Sequence, residues 1–162
     1  TNINTFDFRN FIRNLKYNEI RLLKGNNSNK MYMYFELRKQ RDVVEYLEYF
    51  PEDKELFDKF RNELYSFTQN LFNYYQELKV RKNIRFLEID FEYRPLINEL
   101  HAIYVNTKRQ ITKNSVIQYL HNQPSARLLF VLNFKKKNGI EASQTHTNDK
   151  MLSLSDYPVL EK

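Results

Sequence analysis

Apolar residues recur along most of this chain in steps of three and four, the spacing of one helical face. The cleanest run covers residues 52–79, where Phe57, Phe60, Leu64, Phe67, Leu71, Tyr74 and Leu78 alternate as in a heptad seam. This predicts a long central helix with a stripe that needs a partner. Bulky rings suit an irregular globular core better than an even two-stranded zipper, so the stripe is expected to pack within its own domain; a dimer or a helix of another protein is the alternative. Upstream, residues 5–16 place Phe8, Phe11, Ile12 and Leu15 on one face, and residues 40–50 do the same with Val43, Val44, Leu47 and Phe50. Pro51 ends that second run, because the residue before a proline is pushed out of the α region. Glu52 and Asp53 then fall where carboxylates favour the positive end of a new helix.

Residues 20–37 read differently. Met31, Met33 and Phe35 alternate with Tyr32, Tyr34 and Glu36 after the breaker cluster Gly25, Asn26, Asn27, Ser28 and Asn29. Strict alternation around a turn predicts a small β-hairpin. Two helix ends joined by a loop fit the same residues and stay open. Asn26, Asn27 and Ser28 also spell a glycosylation sequon, relevant only to a secreted chain.

Residues 95–134 predict three short helices joined by tight turns. Pro95 suits a first helical turn, where its missing N–H has no partner to lose. Leu96, Leu100 and Ile103 follow on one face. Thr112 can cap a second helix carrying Val116, Ile117 and Leu120, and Pro124 with Ser125 opens a third carrying Leu128, Leu129, Val131 and Leu132. The expected fold is therefore mainly α: a helical domain over 1–138 with a long central helix, a C-terminal three-helix unit and one hairpin. Residues 84–93 form a connector of no clear type. Residues 139–162 are expected to be a polar tail or a link to the rest of a larger protein, with Met151, Leu152 and Leu154 able to dock back; a start at Thr1 fits a piece of a longer chain.

Composition supports this outline. The 162 residues suffice for one domain with its own core, and 2 Gly and 4 Pro leave little room for a turn-rich β fold. Zero cysteines exclude a disulfide framework and thiolate chemistry. No run approaches the about eighteen apolar residues that a membrane span needs, so no membrane partner is expected.

Charge narrows the function class. Lys and Arg number 26 against 20 Asp and Glu, a net +6. Acidic residues gather early, at Glu45, Glu48, Glu52, Asp53, Glu55 and Asp58. The basic ones gather late: Arg81, Lys82 and Arg85; Lys108, Arg109 and Lys113; Arg127; and Lys135, Lys136 and Lys137. These ten are the candidate nucleic-acid-binding residues, reaching RNA or DNA phosphates with affinity that falls as salt rises. Tyr75 and Tyr119 are candidates to stack on unpaired bases. A literal helix-turn-helix is disfavoured, because residues 126–134 are too apolar to lie against base edges.

No catalytic chemistry surfaces. The chain has no glycine-rich phosphate loop, no His-Glu-x-x-His and no nucleophile elbow. His101 and His121 fall on adjacent predicted helices, but two imidazoles without a third ligand make a poor zinc site. Paired carboxylates such as Glu88 with Asp90 are expected to be solvated. No catalytic residues, metal or cofactor are expected. The reading is a non-catalytic RNA- or DNA-binding accessory domain; the alternative is a protein-interaction or scaffold domain using the seam or the C-terminal apolar residues.

One motif carries a resemblance. Phe91, Tyr93, Arg94, Pro95, Leu96, Leu100, His101 and Tyr104, then Ile111, Thr112, Val116, Ile117 and Tyr119, then Pro124, Arg127, Leu128, Leu129, Phe130, Leu132 and Asn133 form a pattern. It resembles a segment in proteins of large cytoplasmic DNA viruses. The resemblance implies a cytoplasmic or virus-associated setting and a parent that handles nucleic acid, and it brings no catalytic residues.

Overall fold

The computed structural model describes residues 7–26 and 29–142, and every regular element among them is helical. In chain order these are α1 (Phe8–Asn26), α2 (Lys30–Gln40), α3 (Val43–Tyr49), α4 (Lys54–Tyr75), α5 (Arg94–Thr107), α6 (Lys113–His121) and α7 (Ser125–Ala142). A first compact unit ends at Leu132, within α7, and a second begins at Asn133. None of the described helices is long and apolar enough to cross a membrane.

The long central helix forms as expected. A 3-10 turn at Pro51–Asp53 leads into α4, and a π turn at Gln76–Val80 ends it, giving 30 continuous helical residues. α2, α5 and α6 all pack on α4. Its stripe is spent on them: Phe57, Leu64, Phe67, Leu71 and Tyr75 are buried, and Phe60, Tyr74 and Leu78 lean on the same core. The seam thus closes within its own domain.

The hairpin expected over residues 20–37 is replaced by the end of α1 and all of α2. Asn29 decides this locally, since its Oδ1 accepts from the Met31 and Tyr32 N–H groups at 3.0 and 3.2 Å, a helix N-cap. The alternation was misleading because α2 is apolar on nearly every side: Met31, Met33, Tyr34, Phe35 and Leu37 are all buried. A helix buried all round loses the period that distinguishes it from a strand. Of the sequon, Asn26 ends α1, whereas residues 27 and 28 and the expected tail beyond Ala142, including its docking residues, lie outside the described residues. Within the expected 139–162 tail, helix α7 continues to Ala142.

A buried carboxylate joins the first half of the molecule. Asp53, at the head of α4, accepts from the Lys30 ammonium of α2 and from the Tyr46 hydroxyl of α3, the latter at 2.5 Å. Burial alone would raise its pKa, but these two donors hold it below the usual carboxylate value. The second half of α1 packs here through Ile20, the Tyr17–Tyr49 edge contact at 4.9 Å, and Lys24 over the Phe50 ring at 3.7 Å. Its first half stays out in solvent, with Ile12 and Leu15 exposed.

The connector before α5 is made of two 3-10 turns, Phe86–Glu88 and Phe91–Tyr93. Arg94 ties them down by donating to the Ile89 and Leu87 carbonyls at 2.8 and 2.9 Å, and Tyr93 stacks on Phe67 with ring centroids 4.5 Å apart. Pro95 stands in the first turn of α5, and Thr112 caps α6 by accepting from the Ser115 N–H. Both starts match the sequence reading. On α7, Leu128 and Val131 are buried and Leu129 and Leu132 pack against the core, so one face of the leucine-rich piece lies inside while Phe130 is exposed.

Candidate nucleic-acid interface

With two glycines in the chain, left-handed bends fall to other residues. The described positive-φ residues are Arg41, Lys82 and Lys108, every one of them basic. A left-handed residue with a Cβ costs roughly 1–2 kcal/mol. Arg41 stops α2, where the Asp42 N–H closes on the Leu37 carbonyl at 2.9 Å. Lys108 stops α5 and donates its N–H to the Tyr104 carbonyl at 2.8 Å. Lys82 turns the chain just past the π turn, after the Arg81 N–H has reached back to the Gln76 carbonyl.

Lys108 lines a groove of about 440 Å³, and the bend at Lys82 comes two residues after its lining residue Val80. Lys79 and Val80 of the π turn, with Tyr75, form one wall; His101 and Tyr104 of α5 form another; Lys108, Gln110 and Ile111 close it. No carboxylate lines it, and its two ammonium groups make it positive. An aromatic row runs along it, with His101 lying 6.4 Å from Tyr75 and 5.8 Å from Tyr104 between ring centroids, the latter pair stacked at 25°. Burial, aided by the charge of Lys79, lowers the His101 pKa below 6.5, so the imidazole is neutral near pH 7. Its Nδ1 is shut off from solvent and is the buried side-chain polar atom among the described residues that has no hydrogen-bond partner. Such an atom costs about 1–3 kcal/mol. A π turn, a left-handed lysine and an unsatisfied imidazole nitrogen therefore meet at one place, and local strain of this kind gathers at functional sites.

The structure brings some of the sequence-predicted residues to this groove. Lys108 lines it, Arg109 lies between the lining residues Lys108 and Gln110, and Arg81 and Lys82 directly follow Val80. Arg81 is exposed but shares its charge with Glu77 at 2.5 Å. Arg85 is exposed on the connector that follows, its backbone N–H donating to Glu88 at 2.7 Å. Lys113, the first residue of α6, reaches a different part of α4, its ammonium 4.7 Å from the centre of the exposed Tyr65 ring and donating to that hydroxyl at 3.1 Å. In the second unit, Lys135, Lys136 and Lys137 are exposed on α7.

Arg127 is a correction. Its guanidinium grips the Glu99 carboxylate through two bonds, at 2.6 and 2.9 Å, and donates to Gln123 at 2.8 Å. With 15% of its side chain exposed, it holds α5 and α7 together and is not presented to phosphates. The two tyrosines expected to stack on bases are corrected as well. Tyr75 is buried as the continuation of the α4 stripe, and Tyr119 is half-buried with its hydroxyl on Glu99. Burial and that carboxylate push the Tyr119 phenol well above its usual range. Among the described residues the exposed tyrosines are Tyr65 and Tyr104.

No known protein family matches this chain, and no curated protein or solved structure does either.

Lys79, Val80 and Gln110 are the groove residues that the sequence reading passed over, and Tyr104 entered it only within the motif that carries the resemblance. Lys79 and Val80 were hidden at the end of a helical run where they read as ordinary surface. A second basic group, Arg38, Lys39 and Arg41 at the end of α2, was missed too; together these cations lower the pKa of His121, after burial. His101 and His121 thus answer to different neighbours, and no group of metal-ligating residues forms among the described residues.

Proposed function

We propose that this chain is a non-catalytic domain that binds single-stranded RNA or DNA, as an accessory part of a larger, virus-associated or cytoplasmic protein. One observation carries the reading: Lys79 of the π turn and Lys108 of the bend after α5 line a single groove that holds no carboxylate, and Arg81, Lys82 and Arg109 neighbour those lining segments in sequence. Phosphates supply the affinity in such an interface, and an exposed ring such as Tyr104 offers a sequence-tolerant platform for a base.

The test is fluorescence anisotropy of a short labelled oligonucleotide across salt. Affinity should fall steeply from about 50 to 200 mM salt, and each lost phosphate contact should flatten the log–log slope by about 0.7. Lys82→Glu and Arg109→Glu should weaken binding, whereas Arg127→Met should leave the slope alone. Salt-independent binding, or charge reversals without effect, would refute the reading.

A second reading, a protein-interaction domain, draws on α1 rather than on the seam, because Ile12, Leu15 and Leu22 lie exposed on a helix whose first half stands out in solvent. Partner binding of that kind would be insensitive to salt and would fail in Ile12→Asp.

A further inference from the structure

We propose that the groove between the π turn and α5 holds one nucleoside 5′-phosphate, its base against the Tyr104 ring and its phosphate between the ammonium groups of Lys79 and Lys108. This deepens the nucleic-acid reading and rests on it, since it names the unit of the strand that the groove would take. The size is right, about 440 Å³ within the range of pockets that enclose small ligands. Its chemistry is divided as a nucleotide is divided. Tyr104 is 41% exposed and backed by the imidazole of His101, which gives a rigid two-ring stack with one open side. Val80 and Ile111 supply apolar surface, Gln110 supplies a donor and an acceptor for a base edge, and the two lysines supply charge that no lining carboxylate cancels. A bare phosphate would use the lysines and leave the rings idle; a free base would do the reverse. Only a ligand carrying both a ring and an anion uses the whole lining.

A nucleoside 5′-phosphate has two sources, the phosphorylated end of a strand or a free mononucleotide. Both are tested by following the Tyr and His ring signals of the protein by 13C-resolved NMR while adding adenosine 5′-monophosphate, adenosine, inorganic phosphate, or a short oligonucleotide with and without its 5′-phosphate. The expected result is that adenosine 5′-monophosphate shifts the Tyr104 and His101 rings while adenosine and phosphate alone bind at least tenfold more weakly. Tyr104→Ala and Lys79→Ala should each lose about tenfold in affinity, with Tyr104→Phe restoring it. Thermal melts of the same variants separate lost binding from lost folding.

A preference for the 5′-phosphorylated strand over the hydroxyl-ended one assigns the groove to strand ends. Binding of the mononucleotide without the strand supports the groove while removing the nucleic-acid reading. An oligonucleotide that binds without moving either ring, and equally well to Tyr104→Ala, overturns the groove and leaves the broader reading standing.

Discussion

Arg127 on α7 and Glu99 on α5 face each other fork to fork, with both guanidinium NH2 groups on the carboxylate and the Tyr119 hydroxyl of α6 on the same acid. One carboxylate thus joins α5, α6 and α7. Removing either partner leaves a charge with little water to replace it, although the 15% and 28% exposure of the two side chains softens the loss. Glu99→Ala should cost about 2–3 kcal/mol in urea unfolding. Arg127→Lys should recover little of the interaction, because an ammonium cannot bond both carboxylate oxygens in plane. A cost near zero for Glu99→Ala would show that the knot contributes nothing.

Asp53 links folding to acidity. Its folded pKa is depressed, so the stability it contributes is present above the unfolded carboxylate value of 3.8 and drains away as pH falls through the lower folded value. Asp53→Asn should therefore lower stability at neutral pH and flatten the acid limb of the unfolding curve. Tyr46→Phe, which deletes one donor to it, should cost about 1–2 kcal/mol. Chemical denaturation at a series of pH values reads both.

The histidines act at higher pH with the opposite charge. His101 and His121 both have folded pKa values below 6.5, so the unfolded chain takes up protons first as pH drops. Stability should begin to decline once pH falls below about 6.5 and keep declining until the folded values are passed. His101→Gln, neutral throughout, should remove part of that decline. An unchanged pH profile in this variant would assign the effect to His121 alone.

Arg41 offers a stabilising change. It holds φ at 64° at the stop of α2, a position glycine occupies without a Cβ clash. Arg41→Gly should raise stability by about 0.5–1 kcal/mol after the entropy of the freer unfolded chain is set against the relief. Arg41→Val should lower it. Thermal unfolding of the pair is decisive, since a structural preference for arginine itself would make both variants worse.

Where the sequence reading succeeded, a short-range rule acted alone. Pro51 ending one helix, Pro95 opening another and Thr112 capping a third each depend on backbone groups a few residues away, and all three stand. The period of the α4 stripe survived because its neighbours cover one side only. It failed where burial erased the signal: α2 is covered on nearly every side and so alternates like a strand, and Tyr75 continues a buried stripe that a surface reading mistook for exposure. The groove was legible in part. Its cations were visible as a class, but which of them converge depends on the left-handed bends at Lys82 and Lys108. The partnership of Arg127 with Glu99 crosses 28 residues, and no local pattern announces it.

The π turn at Gln76–Val80 holds one more residue than an α turn of the same height. That extra residue is absorbed as a bulge, so deleting one there would leave an unbroken α-helix whose downstream residues keep roughly their facing about the axis of α4. A residue added within the regular part of α4 would instead swing Arg81 and Lys82 by about 100°, so the bulge is the one place where this helix can change length without re-aiming their charge.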